Sequence, residues 1–416
     1  MSKKIKVFVI SDHPYSPSGV GTQTRYMVES LLATGNYQFI CFGGAIKHND
    51  YKPQKTDKWG DDLLIFPVDG YGTQDSVRSI IMTEKPDMLW FMTDPRFFPW
   101  LWEMEDEIRS LIPMIYYHVW DNYPYPMYNK VWYDSTDVVA CISKLTHDIV
   151  STVSPEVDSF YMPHAVNTEF FKPLSEEDRS ELRKNMDIPD DKFVVFWNNR
   201  NARRKQPATL IFLFKEFLDK VGHDKAKLIM HTDPTDINGP NLVAVINNLG
   251  LNQGQVQFST QKLEFPQLAA IYNIADVTVN VSDAEGFGLS TLESLCCGRP
   301  IIVNMTGGLK DQVTDGENWY GIGIEPRSKS VIGSQDIPYI YEDRFVGEDF
   351  VDALTQMYNM TKEERLELGE KCHEFANKNF NFEDYCTKWD EKLREVHAKY
   401  GSWGEREYQS WEMLEV

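Results

Sequence analysis

A single small module is excluded by length, since 416 residues suit two domains, or at most three, at roughly 100 to 200 residues per domain. Hydrophobic residues make up 42% of the chain, with 11 Trp, 20 Tyr and 23 Phe, which excludes a disordered chain poor in aromatics. Subtracting 63 Asp and Glu from 42 Lys and Arg leaves a formal charge of -21, a field that repels phosphate backbones and anionic lipid heads, so any contact with nucleic acid or membrane has to be local.

The N-terminus runs MSKKIKVFVISDHP. Its apolar stretch from Ile5 to Ile10 is too short for a signal-peptide core and precedes no small-residue cleavage site, so it is predicted as a strand. Short apolar runs bounded by turn residues follow: YQFICF (37–42), LLIFPV (63–68), MLWFMT (88–93), PMIYY (113–117) and DVVACIS (137–143). Near-continuous apolarity marks strands buried on both faces. Helical spacing from Thr22 to Ala33 and from Gln74 to Glu84 lies between them, so a parallel sheet is expected. Residues 164–190 are polar and proline-punctuated and read as an interdomain connection. A second series then begins: FVVFWN (193–198), KLIMH (227–231), VQFS (256–259), DVTVNVS (276–282), PIIVN (300–304) and YGIGI (320–324). After residue 350 the chain is helical, with TKEERLELGEKCHEFANKN and FEDYCTKWDEKLREVHAKY before a Trp-rich tail.

Cysteines stand at 41, 141, 296, 297, 372 and 386 with no CxxC pair, the pattern of a reduced, intracellular chain. No run of about 18 apolar residues exists to cross a membrane. A soluble, cytoplasmic protein with no integral membrane segment is therefore expected.

The densest chemistry lies in SDAEGFGLSTLESLCCG, between the strands DVTVNV and PIIVN. Gly286 and Gly288 let the backbone approach a ligand, and a helix begun near Leu289 turns free amides and its positive dipole end toward an anion. Glu285 and Glu293, one in the loop and one in the helix, can face the same cleft at the carboxyl ends of the strands and grip sugar hydroxyls. The alternative for the pair is a helix-capping Glu285 and a solvated Glu293.

The string from Glu285 to Glu293, with GFGLSTLE and then CCGRPIIVNMTGGLKDQV, resembles the E-x7-E signature of the family-4 retaining glycosyltransferases, enzymes with the GT-B fold. The likeness extends back through AIYNIADVTVNVS and covers roughly residues 190–320. It implies that Glu293 holds the ribose hydroxyls of a nucleotide-sugar, that Glu285 contacts the transferred sugar, and that backbone amides of Phe287, Gly288 and Leu289 face the donor. In NRNARRK, Arg200 and Lys205 occupy the places of the family's phosphate-clamping Arg and Lys, and a fork and a point charge suit a departing diphosphate. The usual Gly before that Arg is Asn199, and the usual Gly after the Lys is Gln206. A solvated basic loop is the alternative for this stretch.

Gly19 and Gly21, in YSPSGVGTQTRYM, resemble the family's glycine-rich first loop, whose amides meet donor phosphates; an ordinary strand-to-helix turn is the alternative. His118, in IYYHVWD, resembles the family His that hydrogen-bonds the donor sugar, against a core histidine oriented by Asp121. His164 is read as hinge structure. The aromatic stretch DNYPYPMYNKVWYD (121–134) either stacks on an acceptor or belongs to the core. No Asp-x-Asp metal motif, GxSxG elbow or Walker A loop is found, so neither a metal nor a cofactor is expected beyond the nucleotide diphosphate-sugar itself.

The reading that follows is an α/β chain of GT-B type: two Rossmann-like β/α/β domains, residues 1–175 on the acceptor side and 190–375 binding the nucleotide-sugar, facing across a cleft. Residues 376–416 form a helical tail crossing back to the first. The implied activity is retaining, metal-independent transfer of a hexose or related sugar from a nucleotide diphosphate-sugar donor to an acceptor hydroxyl on a glycan, protein, metabolite or modified nucleic-acid base. A GT-B sugar-nucleotide epimerase or phosphorylase, or a non-catalytic sugar-nucleotide or glycan-binding protein, is the alternative.

Overall fold

Apolar runs that can be buried on both faces become the strands of two separate parallel sheets. The computed structural model describes residues 3–410. Its first unit holds the chain up to His164 together with Gly333–Tyr339 and the segment from Glu383 onward; the second holds Ala165–Ile332 and Ile340–Phe382.

In the first unit the strands are β1 (Ile5–Asp12), β2 (Tyr37–Gly44), β3 (Gln54–Lys55), β4 (Leu63–Pro67), β5 (Met88–Thr93), β6 (Met114–His118), β7 (Val138–Cys141) and β8 (Asp158–Tyr161). They lie in the order β3-β4-β2-β1-β5-β6-β7-β8. All pairs are parallel except β3 with β4. The central strands are buried along their whole length, as near-continuous apolarity requires. Helix Gly19–Ala33 follows β1, capped by Ser18, whose side chain accepts from the Gly21 amide. The last long helix, Phe382–Tyr400, packs in this unit through Trp389, whose ring centroid lies 5.9 Å from that of Trp90 and 5.1 Å from that of Tyr117.

In the second unit β9 (Phe193–Asn198), β10 (Ala226–His231), β11 (Val256–Ser259), β12 (Val277–Asn280), β13 (Ile301–Asn304) and β14 (Gly321–Ile324) form a sheet in the order β11-β10-β9-β12-β13-β14, parallel throughout. Its core includes Trp197, Phe214, Phe217, Leu228 and Phe350. Strand β9 sits where the order turns, between β10 and β12, so the loops after β9 and β12 leave the sheet side by side, the place where open α/β sheets bind ligands.

Several elements, the short strand β3 among them, depart from the sequence reading. Strand β8 carries no apolar run, and all four of its residues are half-buried. An antiparallel hairpin, β15 (Ser328–Ile332) with β16 (Ile340–Arg344), follows β14. Within the stretch read as a connection, Glu176–Asn185 is a helix anchored by Arg179 and Arg183, both buried. Among the described residues no helix is long and apolar enough to cross a membrane.

Candidate donor-sugar site

The site in the second unit is built from two loops, one after β9 and one after β12. After β12 the chain runs through 281–287 into helix Leu289–Cys296, with Gly288 as N-cap at φ 92°. That left-handed conformation suits glycine, and an added Cβ would come within 2.5 Å of Leu309 Cδ2 and 2.7 Å of Thr291 Oγ1. The cap makes no side-chain bond, so the first-turn amides are open to an anion. Gln312 Nε2 fixes the loop from behind, donating to the Phe287 carbonyl at 2.7 Å and the Gly288 carbonyl at 3.1 Å. Gly308 passes so close that a Cβ there would lie 2.5 Å from the Gly286 carbonyl oxygen. Phe287 is buried, its ring meeting Phe380 edge-on at 5.7 Å.

Lys205 comes from the other loop. It closes a 3-10 turn, Arg203–Lys205, and is buried with its Nζ on Glu285 Oε2. Asn280 Nδ2 donates to the same oxygen at 3.3 Å, and the Arg204 guanidinium donates to the Ala284 carbonyl. Burial pushes the Glu285 carboxyl up, but Lys205 and Arg204 outweigh it and hold the group below the usual range. The glycine replacement at 206 meets a backbone need directly: Gln206 adopts φ 54°, ψ 38°, the left-handed region.

Glu293 lies elsewhere on the same helix. Its Oε2 accepts from the Tyr272 hydroxyl at 2.5 Å and from Asn198 Nδ2 at 3.4 Å. Burial pushes its carboxyl up to about 7, against the pull of those two donors. Arg200 is not brought to Lys205. Its side chain is 65% exposed and forks onto Asp236 at 2.6 and 3.3 Å.

The sequence candidates of the first unit are placed as follows. The Gly21 amide is donated to Ser18 Oγ at 2.9 Å, and a Cβ at Gly21 would clash with Ser16 Oγ and the His13 carbonyl. Gly19 is the first residue of that helix. His118 is fully buried at the end of β6, its Nε2 2.7 Å from the Tyr133 hydroxyl and its Nδ1 without a partner among the described residues. Tyr133, rather than Asp121, is the hydrogen-bond partner at that ring nitrogen. Burial pushes the imidazole down to about 3, so it stays neutral. His164, also buried, bonds the Tyr117 hydroxyl through Nδ1 at 2.7 Å. The aromatic stretch divides: Trp120 and Tyr133 are core, Trp132 stacks on Trp102 at 5.2 Å, and Tyr123 and Tyr125 share Asp148 at the surface.

Sequence reading missed Asn198, Tyr272, Asn280 and Gln312 as site residues. Asn198 carried a signal, as the first polar residue after five apolar ones in FVVFWN; Tyr272 sits in an apolar helix, and only the fold brings it to Glu293.

Two Rossmann-like sheets of this topology give the chain the GT-B fold, and solved structures of that fold superpose on nearly all of it. Sucrose-phosphate synthase from Thermosynechococcus elongatus aligns with a TM-score of 0.75 at 17% identity, covering 95% of this chain and 100% of that one. Anabaena HepE, in complex with UDP and glucose, aligns with a TM-score of 0.68 at 14% identity over 94% of this chain and 100% of that one. Residues 178–335 match the model of the family Glycosyl transferases group 1. The chain is also 28% identical over 190 residues to alpha-monoglucosyldiacylglycerol synthase of Streptococcus pneumoniae, covering 44% of this chain and 42% of that protein. D-inositol 3-phosphate glycosyltransferase 1 of Catenulispora acidiphila is 30% identical over 176 residues, covering 40% of this chain and 38% of that protein. The chain thus spans less than half the length of these relatives.

Proposed function

We propose that the protein is a retaining glycosyltransferase that moves a sugar from a nucleotide diphosphate-sugar to an acceptor hydroxyl without a metal ion. The observation that carries this reading is the buried Lys205–Glu285 pair beside the uncapped start of helix Leu289–Cys296, a cation and a set of amides positioned for a diphosphate together with a carboxylate for sugar hydroxyls. In the step proposed, the bond between the anomeric carbon and the diphosphate oxygen breaks and the diphosphate leaves with the electron pair. The acceptor oxygen bonds the same carbon from the same face and passes its proton to the departing phosphate oxygen. Lys205 and the helix amides stabilise the charge growing on the diphosphate, Arg200 joins them by exchanging Asp236 for the diphosphate, Glu285 orients the sugar, and Glu293 accepts from the ribose hydroxyls. Glu293 gives a nucleotide reason for a carboxylate that a bare phosphate pocket would repel.

HepE was solved with UDP and glucose, so UDP-sugars open the test. Turnover is measured over UDP-, GDP-, ADP- and TDP-sugars, with and without a panel of hydroxyl acceptors, with and without EDTA. Nucleotide release that depends on acceptor, survives EDTA and gives a product of unchanged anomeric configuration by NMR is the expected result. Donor conversion without acceptor would instead indicate an epimerase, binding without turnover a non-catalytic protein, and chelator loss rescued by a divalent ion a metal-dependent reaction.

A further inference from the structure

The hairpin that follows β14 reaches both loops of the donor site through one charged network. Glu342 on β16 is buried and takes a two-pronged bond from Arg203, at 3.0 and 2.5 Å. Arg344 on the same strand bonds Glu342 at 2.5 Å and Asp283 at 2.6 Å. Asp283 Oδ2 also accepts from Gln206 Nε2 at 2.6 Å, and the Asp283 carbonyl accepts the Asp343 amide at 2.8 Å. Between Asn304 Nδ2 and the carbonyls of Ser282 and Asp343, bonds of 2.9 and 3.0 Å join the loop to β16. Arg203 and Gln206 flank Lys205 within one turn, and Asp283 stands two residues before Glu285.

Gln206 is the informative member. Its φ of 54° is a conformation glycine adopts without strain and a longer side chain does not. Its amide is used at both ends, with Oε1 accepting from Thr209 Oγ1 at 2.7 Å and Nε2 donating to Asp283. A strained residue held by its side chain in two directions is a backbone conformation kept in place by the surroundings.

We propose that Gln206, Asp283, Glu342 and Arg344 are positioning residues: together they brace the turn carrying Lys205 against the loop carrying Glu285, and so set the cation–carboxylate geometry of the donor site. This proposal rests on Lys205 and Glu285 being donor-site residues, but the brace itself is a statement about their mutual placement. A structural hairpin alone has no need of the Gln206 amide, because glycine would relieve the turn. The brace needs it, since glycine cuts the link between the two loops while favouring the fold.

The test uses the full chain with Gln206→Gly, Glu342→Gln and their double variant. Three readouts are taken: the melting temperature, the titration of Glu285 by carbon-13 carboxylate NMR, and kcat and KM with whichever nucleotide-sugar the wild type uses. Lys205, Arg204 and Asn280 face Glu285, and Lys205→Met marks the titration expected when the main partner is lost. The brace predicts that Gln206→Gly melts at the wild-type temperature or above it, yet moves the Glu285 titration toward that of Lys205→Met and lowers kcat about tenfold. It also predicts that the double variant does no further harm than the worse single one. A Glu285 titration unchanged in both single variants overturns the proposal, whatever the activity. Absence of turnover in the wild type, with Glu285 still shifting in Gln206→Gly, would instead refute the transferase reading and leave the brace standing.

Discussion

Lys205 and Glu285 hold each other's charge in a pocket from which most water is excluded, so neither can be removed cleanly. Lys205→Ala takes a preorganised cation from the proposed diphosphate seat and leaves Glu285 buried with Asn280 and the neighbouring Arg204. Turnover should fall by roughly two to three orders of magnitude, measured with the donor that serves the wild type; near-normal turnover would remove Lys205 from the chemistry. Arg200→Ala makes a sharper comparison, because the Arg200 side chain is exposed and its loss should alter stability by no more than about 1 kcal/mol. Any fall in its turnover is then chemical. Glu293 makes a pH prediction. Its native carboxyl is raised to about 7 by burial, so between the ordinary carboxylate range and pH 7 the folded protein holds a proton that the unfolded chain has released. Stability attributable to this group is therefore fully present at the acid end and lost as pH rises through 7, by an amount on the order of 3 kcal/mol. Urea unfolding at pH 5 and pH 8 should show that loss in the wild type and a flatter dependence in Glu293→Gln. Identical slopes would place Glu293 in an ordinary carboxylate environment. The acidic and basic candidates were legible because sequence spacing marks them. Their pairings were not: that Lys205 meets Glu285 while Arg200 turns to Asp236 depends on side-chain directions in loops that no periodicity encodes.

Elements were legible wherever burial is two-sided. The runs MLWFMT and FVVFWN coincide with β5 and β9 residue for residue, because a central parallel strand must be apolar on both faces. Hairpin β15–β16 and strand β8 were not, since half-exposed strands mix polar and apolar residues without a continuous run. The helix Glu176–Asn185 was hidden for a different reason. It docks by charge: Arg179 and Arg183 are buried, bonding Asp276 at 2.9 and 2.7 Å, and Asp276 also accepts the Val194 amide at 2.8 Å. To a pattern search its sequence, EEDRSELRKN, looks like solvated linker. Burial pushes the Asp276 carboxyl up, yet Arg183 and Arg179 hold it below the usual range. Asp276→Asn would leave two buried guanidiniums short of their counter-charge, at a cost of about 3 to 5 kcal/mol. The stability that Asp276 contributes is present above the ordinary carboxylate range and lost as pH falls through its lowered native value, so the variant should also lose part of the wild type's acid sensitivity. Denaturant unfolding at pH 7, and in steps downward from the ordinary carboxylate value, measures both. A difference below about 1 kcal/mol at pH 7 would mean the arginines are held by their backbone carbonyl partners alone.

For the whole chain, the question is what the last helix does for the first unit. Phe382–Tyr400 follows the second unit in sequence, yet from Glu383 on it belongs to the first. Of Phe382, Tyr385, Cys386, Trp389 and Leu393, the positions that stand at helical spacing in the sequence, the fold buries Tyr385, Trp389 and Leu393 and adds Val396, whereas Phe382 and Cys386 are half-buried. Trp389 is fully buried against Trp90 and Tyr117 on the central strands, and the Tyr385 hydroxyl reaches the Gln23 carbonyl at 3.3 Å. The Tyr37 hydroxyl, at the start of β2, donates to Asp390 at 2.7 Å. The first unit therefore completes its core with residues made more than 200 positions after its own sheet. Truncation after Asn381 should expose the faces of Trp90 and Tyr117 and leave the Tyr37 hydroxyl without its carboxylate, giving aggregated or inactive protein. Trp389→Ala is the gentler form of the same test, because it leaves the helix in place and empties one buried site, with an expected loss of about 3 to 5 kcal/mol. The two variants should fail in different ways: Trp389→Ala by a lowered unfolding midpoint with the fold retained, the truncation by loss of monomer in size-exclusion chromatography. A soluble, fully active truncation would make the helix an appendage, and the first unit's core complete without it.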